Sequence, residues 1–248
     1  LNPGLQRQGA WARLQLKNTM DQPTAVVLSH HYAPTDLVVI RNPRPDGSWH
    51  ERRSGDLQTT MGNERPRTPS FLLQLPAQST TPIFLFVETQ SNLNFEMSVY
   101  APNSYNRAEQ TLALIYGALF GAVLISAFYL VLSAFMVRSR LAIILGTYLA
   151  LYATYVSFLM GYVQYALPDA LTPYTNQLHM LSLALLMHLG TRFYRSFLDL
   201  AHKAPTADKL VAGLQWLSLG LALLPDLQPL LAMLLSLVVI FIGPLLTT

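Results

Sequence analysis

The first hundred residues carry side chains suited to holding a sugar. The residues with the right chemistry are two tryptophans, an arginine, a histidine and a tyrosine: Trp11, Arg13, His31, Tyr32 and Trp49. An aromatic face can stack on a pyranose ring, while arginine or histidine supplies directional hydrogen-bond donors. The sequence therefore predicts a carbohydrate-like small-molecule ligand bound by these five residues. The alternative is that the tryptophans pack within the fold and the histidine lies at a strand edge.

Patterns for catalysis or metal binding are missing from the sequence. The chain has no cysteine, which excludes disulfides and thiolate metal sites. His30 and His31 are adjacent, and neighbouring residues of a strand point to opposite faces, so the two do not readily bind one ion. No H-E-x-x-H motif occurs, and a transferase at the membrane surface would have only Asp169, His179 and Asp226 to use. We predict no catalytic residue, no metal and no cofactor.

Short strands with a period of two position the sugar-binding candidates. In such strands alternate residues point inward, as Ile83, Leu85 and Val87 do in PIFLFVE. The segments with strand character are WARLQLK, TAVVLSH, DLVVI, FLLQL, PIFLFVE and NFEMSVY. Prolines and an Asp46-Gly47 pair predict a hairpin connection at residues 42–49. About seven strands result, which predicts an all-β jelly-roll sandwich over residues 1–105.

Uncharged runs in the rest of the chain predict membrane-spanning helices. Between Glu109 and Arg138 lie 28 uncharged residues, and a helix of that length reaches about 42 Å against a hydrocarbon core of about 30 Å. The segment from Asn106 to Glu109 has capping-box spacing, which would start this first helix. We predict an all-α transmembrane helical bundle over residues 106–248 with five spans: 110–136, 141–167, 174–196, 210–225 and 229–247.

The charges between the predicted spans indicate which side each loop faces. Basic residues follow the first and third spans: Arg138, Arg140, Arg192, Arg195, Lys203 and Lys209. The loops after the second and fourth spans hold Asp169 and Asp226 without lysine or arginine. Because basic loops stay in the cytoplasm, the sandwich is predicted to lie outside. The formal charge is only +3, and the basic residues of the helical half lie at these boundaries, so no nucleic-acid partner is expected.

Small residues in the first predicted span favour close helix packing. Gly117 and Gly121 form a G-x-x-x-G motif, which allows another helix to approach. That helix belongs either to the same chain or to a second protomer, so a homodimer is one alternative. The helix also starts within a few residues of the last strand, which leaves little slack between them. We therefore predict that Glu109, Gly117 and Gly121 couple the sandwich to the membrane.

Polar residues in the second and third predicted spans are further candidates for signal coupling. Tyr148, Tyr155 and Tyr162 recur every seven residues and would share one helix face. Phenol groups in hydrocarbon seek partners, so this face should turn toward other helices. His188 lies deep in the third span, where ionisable residues are often functional. Plain interhelical packing and a small-ligand cavity are the alternatives.

Several segments, in this order along the chain, are similar to a known family. They are GAWARLQLKN, the DGSW turn followed by Gly55-Asp56, FLLQLP, IFLFVETQSNLNFEMSVY and LALIYGALFGAVL. In this order they resemble the bacterial seven-transmembrane receptors with diverse intracellular signalling modules, with the second type of extracellular sensor domain. That sensor has a jelly-roll fold similar to carbohydrate-binding modules, which agrees with the strand pattern.

The resemblance implies a non-enzymatic receptor in the bacterial inner membrane, surrounded by lipid, with its sensor in the periplasm. It would relay ligand binding to a cytoplasmic histidine kinase or diguanylate cyclase, in two-component or cyclic di-GMP signalling. We expect that output module and two more spans beyond Thr248, and the first strand or strands of the sandwich before Leu1. The alternative is a transporter or channel with an accessory periplasmic binding domain. Such proteins normally place ionisable residues near the membrane midplane, and the first two predicted spans hold no charge.

Overall fold

The computed structural model describes residues 9–43, 47–58, 66–89 and 95–222. Within them the strands are β1 (Ala10–Asn18), β2 (Thr24–His30), β3 (Leu37–Pro43), β4 (Trp49–Ser54), β5 (Ser70–Leu75), β6 (Ser79–Glu88) and β7 (Met97–Tyr100). The helices are α1 (Pro102–Val137), α2 (Arg140–Leu159), the 3₁₀ helices η1 (Tyr162–Tyr165) and η2 (Asp169–Tyr174), α3 (Thr175–Phe197), α4 (Leu200–Lys203) and α5 (Pro205–Ala222). The chain forms two compact units, one from Leu1–Tyr116 with Ser157–Thr175, the other from Gly117–Val156 with Asn176–Thr248.

The strands form two antiparallel sheets that share one core. One sheet has the order β1-β6-β3-β4 and the other β5-β2-β7. The predicted alternation is confirmed in β1, β5 and β6, where burial alternates along the strand. The buried core consists of Leu28, Val38, Ile40, Phe71, Leu73, Ile83, Leu85 and Val87. The N-terminal half is therefore all-β, as expected.

Two segments of the predicted β structure are only partly described. β3 and β4 pair from Val38 with Ser54 to Pro43 with Trp49, as the predicted hairpin requires. Asp46, within its connection, lies outside the described residues. So does Asn94, the first residue of the predicted strand NFEMSVY, of which the last four residues form β7.

The first helix begins earlier than the capping-box spacing predicted. α1 starts at Pro102, not at Asn106. Proline has no N–H, and the first helical turn tolerates it because those N–H groups have no partner within the helix. Since β7 ends at Tyr100, the single residue Ala101 connects sheet to helix. The expected short linker is confirmed, but Glu109 lies about two turns inside α1 and caps nothing.

Among the described residues, two helices, α1 and α2, are long and apolar enough to cross a membrane. Many of their large apolar side chains are exposed, including Leu114, Ile125 and Phe135, as expected of a lipid-facing surface. The predicted second span, residues 141–167, is too long: α2 ends at Leu159, because Gly161 adopts a φ of 77° that stops the helix. α3 and α5 overlap the third and fourth predicted spans. The fifth, residues 229–247, lies outside the described residues.

Candidate functional site

The outer face of the four-stranded sheet carries a group of aromatic and arginine side chains. We call it the aromatic face, and it consists of Trp11, Arg13, Arg41, Trp49, Phe84 and Phe86. Strand pairing brings its members together, since Trp11 lies opposite Phe86 and Arg13 opposite Phe84. Arg41 also pairs with Phe84, from the other side. Trp11 and Trp49 are 53% and 54% exposed, so both offer ring surface to a ligand.

The rings of the aromatic face contact one another and two guanidinium groups. The ring centroids of Trp11 and Phe86 are 5.1 Å apart, and those of Trp49 and Phe84 are 5.4 Å apart. The guanidinium of Arg41 lies 5.3 Å from the Trp11 ring, and that of Arg13 lies 5.7 Å from the Phe84 ring. Cation–π contacts of this kind hold flexible arginine side chains in place. The aromatic face is thus an ordered, solvent-exposed surface.

Positive charge dominates the aromatic face. Glu51, at its border, accepts hydrogen bonds from Arg53 Nε at 2.9 Å and Arg41 Nε at 2.7 Å. The bonds from Arg53 and Arg41 hold the pKa of Glu51 below its usual value. Arg13, in contrast, has no carboxylate partner among the described residues. Its N–H groups are therefore available to a bound molecule.

His31 and Tyr32 do not belong to the aromatic face. They follow the end of β2, which lies in the three-stranded sheet. His31 Nε2 is 2.7 Å from Ser98 Oγ and 3.3 Å from the hydroxyl of Tyr100. The five residues predicted to bind the ligand therefore do not form one group. Trp11, Arg13 and Trp49 share a sheet face, whereas His31 and Tyr32 lie just beyond the end of β2 in the other sheet.

Three members of the aromatic face were not predicted from sequence, although the strand pattern contained the signal. In PIFLFVE the inward positions were assigned to aliphatic residues, which turns Phe84 and Phe86 outward. Two aromatic residues on the solvent side of a strand indicate a binding surface. Arg41 follows the buried Ile40 and is turned outward in the same way.

A second polar group joins the sheets to the helix ends within the first compact unit. Arg67, in the loop before β5, donates from Nε and Nη2 to the two carboxylate oxygens of Glu109 on α1, each at 2.8 Å. Its Nη1 donates to the carbonyl oxygen of Met160 at 2.9 Å. The guanidinium also lies 5.7 Å from the ring of Tyr162. We call this group the Arg67 clasp.

The Arg67 clasp is sheltered from solvent. The side chains of Arg67 and Glu109 are 11% and 25% exposed, and two-pronged arginine–carboxylate pairs are among the stronger polar contacts. The hydrogen bond to Glu109 raises the pKa of Arg67 above its usual value. Gly161 passes close by, and a Cβ there would lie 2.2 Å from the Arg67 carbonyl oxygen. Only glycine permits this approach.

Two protein families together match most of the chain. The family described as 7TM diverse intracellular signalling matches residues 112–248, and the one described as 7TMR-DISM extracellular 2 matches residues 1–101. The chain belongs to the 7TM diverse intracellular signalling family. The resemblance predicted from sequence is confirmed. Comparison with curated proteins and with solved structures finds no match.

Membership of the 7TM diverse intracellular signalling family assigns the two parts of the chain. The β sheets form its extracellular sensor domain, and the helices belong to its 7TM signalling domain. The chain is therefore a membrane protein of the signal-transduction receptor type with its N-terminal part outside the cell. The Arg67 clasp joins a loop of the sensor domain to Glu109, which lies on α1 between the two matched ranges.

One of the three tyrosines predicted to share a face of the second helix lies elsewhere. Tyr162 is in η1, beyond the left-handed Gly161, and not on α2. The predicted common stripe is therefore wrong for Tyr162. Its ring lies beside the Arg67 guanidinium and 5.6 Å from the ring of Tyr116. Glu109 and Tyr162, two predicted coupling residues, are thus both members of the clasp.

The other two tyrosines face α3 within the second compact unit. A Cβ placed at Gly190 would lie 3.1 Å from the Tyr148 ring, so the helices approach closely there. The ring of Tyr155 lies 5.3 Å from that of His179. Both contacts agree with the expectation that this face turns toward other helices.

The space beside Gly117 and Gly121 on α1 is open. Apart from the neighbouring residues and the nearby backbone of α1 itself, no atom of the described residues lies within 4 Å of a Cβ placed at Gly117 or Gly121. The described helices of the same chain therefore do not use this close approach. The two alternatives for the partner of the G-x-x-x-G motif are thus a second protomer and the rest of the chain.

His188 takes part in a polar chain between α3 and α5. Its Nε2 lies 3.0 Å from Gln215 Nε2. Arg195 Nη1 donates to Gln215 Oε1 at 3.1 Å, and Arg195 Nε and Nη2 bind the carboxylate of Asp208 at 2.6 and 2.9 Å. The Trp216 ring lies 5.0 Å from that of His188. The sequence identified His188, but its partners are on a helix whose packing could not be foreseen.

Proposed function

We propose that this receptor binds a carbohydrate-like ligand on the aromatic face and passes the event to its membrane helices through the Arg67 clasp. The observation that carries the proposal is the clasp, in which one side chain of the sensor domain binds both α1 and the backbone after α2. The ligand would be met in the periplasm of a bacterium. The signal would reach a cytoplasmic histidine kinase or diguanylate cyclase, in two-component or cyclic di-GMP signalling.

The chemistry of the aromatic face supports a sugar as the ligand. Two exposed tryptophan rings offer apolar faces of the kind that stack on pyranose rings. Arg13 and Arg41 lie beside them and can donate hydrogen bonds to hydroxyl or carboxylate oxygens. A sheet surface buries only part of a ligand, and small buried area gives weak affinity. We therefore expect weak binding that improves with the length of the saccharide.

The interaction free energy of the Arg67 clasp is large enough to shift a two-state equilibrium. A bias of about 1.4 kcal/mol changes a two-state population ratio tenfold. Removing one partner of a buried ion pair costs about 3 kcal/mol, and this pair, though partly exposed, also includes the bond to Met160. A ligand-induced shift that weakens the clasp would thus change the population of signalling states substantially.

The finer architecture is part of the same proposal. We propose a jelly-roll topology for the sensor domain and five spans in this chain. α3, α5 and residues 229–247 would cross the membrane in addition to α1 and α2. The two-sheet sandwich and the family membership support this arrangement. A homodimer formed through Gly117 and Gly121 is the alternative use of the open face of α1.

Ligand binding can be tested on the full chain in detergent or lipid discs. We expect Trp11→Ala and Trp49→Ala to abolish binding on a glycan array, because each removes a stacking surface of the aromatic face. Leu72→Ala is the matched control, since Leu72 is 53% exposed but lies on β5 in the other sheet. Binding that survives both tryptophan substitutions would contradict the proposed site.

A further inference from the structure

Asp56 is buried at the junction between the sandwich and the segments that follow α2. It lies in the turn after β4 and is 6% exposed. Its N–H donates to the carbonyl oxygen of Thr35 at 2.9 Å. Its own carbonyl oxygen is 3.4 Å from Thr175 Oγ1, and that hydroxyl also donates to the Thr172 carbonyl oxygen at 2.7 Å. The turn is thus bonded on one side to the sandwich and on the other to the start of α3.

The carboxyl group of Asp56 is incompletely bonded. Oδ1 of Asp56 and Oγ1 of Thr172 are buried and have no hydrogen-bond partner among the described residues. Both residues line a small cleft together with Ser54 and Gln164, and no basic side chain lines the described part of it. A buried carboxylate oxygen without a donor or cation is costly, whereas a protonated carboxyl is neutral and becomes a donor itself.

The charged groups around Asp56 also favour the protonated form. Asp36, 6% exposed in the turn before β3, is a second carboxyl group close enough to oppose ionisation. Burial, and after it the charge of Asp36, raises the pKa of Asp56 to about 7, against the smaller opposing effect of hydrogen bonds from the backbone N–H groups of Asp56 and Leu57. Arg67 in the loop before β5 is bound to Glu109 instead. Asp169 begins η2 outside the cleft lining, and η1 and α3 contribute only uncharged residues to it.

We propose that Asp56 is a proton-binding site that adjusts this junction to the acidity outside the cell. On acidification the Asp56 carboxylate takes up one proton from solvent through the cleft and becomes a neutral carboxylic acid. On return to higher pH it releases that proton, and the resulting charge repels Asp36 beside the turn that Thr175 holds. That the change alters signalling rests on the receptor function proposed above; the proton binding itself does not.

Infrared difference spectroscopy of the full chain in lipid discs tests the proton site directly. Between about pH 5 and about pH 9 we expect a protonated-carboxyl band that disappears with a midpoint near neutrality. Asp56→Asn should remove this band. Asp21→Asn, which changes an exposed aspartate bound to Gln78, should leave it in place and serves as the matched control.

The variant Asp36→Asn separates proton binding by Asp56 from a merely structural role of Asp56, which would not change the titration midpoint. Without the neighbouring negative charge, the Asp56 band should persist but its midpoint should shift to lower pH. A neutral-pH band that survives in Asp56→Asn, or a midpoint unchanged by Asp36→Asn, would overturn the proposal. Trp11→Ala should leave the titration intact, so failure of sugar binding and failure of proton binding are separately visible.

Discussion

At the scale of single residues, Arg67 and Glu109 allow a sharp energetic test. The ion pair is sheltered and two-pronged, so a double-mutant cycle with Arg67→Gln and Glu109→Gln should give a coupling of about 1–2 kcal/mol. Thermal unfolding of the full chain measures it. The exposed pair of Arg53 and Glu51 is the control and should show little coupling. Additive effects of the two substitutions would mean that Arg67 and Glu109 have no coupling free energy.

Gly161 offers a prediction about the backbone. Its φ of 77° and the 2.2 Å separation between a Cβ there and the Arg67 carbonyl oxygen leave no room for a side chain. Gly161→Ala should therefore lower the free energy of unfolding by roughly 1–3 kcal/mol. In Gly213→Ala, within α5 and free of neighbours in the described residues, alanine should be neutral or stabilising. Equal effects at the two positions would contradict the steric argument.

The pH dependence of stability has a definite sign at Asp56. Its pKa rises from 3.8 to about 7 in the folded chain, so between these values the folded state keeps a proton that the unfolded chain has released. The free energy of unfolding should therefore fall as pH rises through this window and level off above it. Asp56→Asn should flatten this slope in thermal unfolding of the full chain. A slope of the opposite sign, lost in the same variant, would mean that the carboxylate is stabilised.

At the scale of elements, the periodicity of the sequence predicts the strands, whereas contacts between distant parts of the chain cannot be predicted from it. The strands followed from alternation because each buries one face, as Ile83 and Leu85 do in β6. The capping-box spacing predicts a start at Asn106, whereas α1 starts at Pro102, a residue type that the first helical turn also accepts. The end of α2 was missed because no charged residue marks it. Arg67 could not be predicted, since its partner Glu109 is 42 residues away in sequence.

The joint between β7 and α1 gives an element-scale prediction. A Gly-Ser insertion at Ala101 should leave ligand binding unchanged and weaken the response of the cytoplasmic output module proposed above, because a flexible segment absorbs the displacement. The clasp still holds α1 at Glu109, so complete loss should need the insertion combined with Arg67→Gln. The same insertion between Asp21 and Gln22, in the turn before β2, is the control. A full response in the combined variant would exclude both routes.

At the scale of the whole molecule, the loop charges predict which segments face the cytoplasm. Alkaline phosphatase fused after Ala170 should be active, whereas fusions after Ser139 or Ala204 should be silent. The reason is that Arg138, Arg140 and Lys203 mark cytoplasmic loops while Asp169 has no basic neighbour in its loop. Activity at Ser139 would reverse the orientation of the helices. The extracellular sensor family at the N-terminus supports the predicted direction.

The single-residue joint at Ala101 also fixes the rotational phase of the first helix. β7 is paired to β2, so the direction in which the chain leaves the sheet is set before the helix begins. Each residue added at this joint turns all that follows by about 100° and advances it by about 1.5 Å. Added alanines would therefore rotate the open Gly117 and Gly121 face about the helix axis. Output that oscillates with insert length, recovering at three or four residues, would identify rotation as the signal, whereas a steady decline would identify translation.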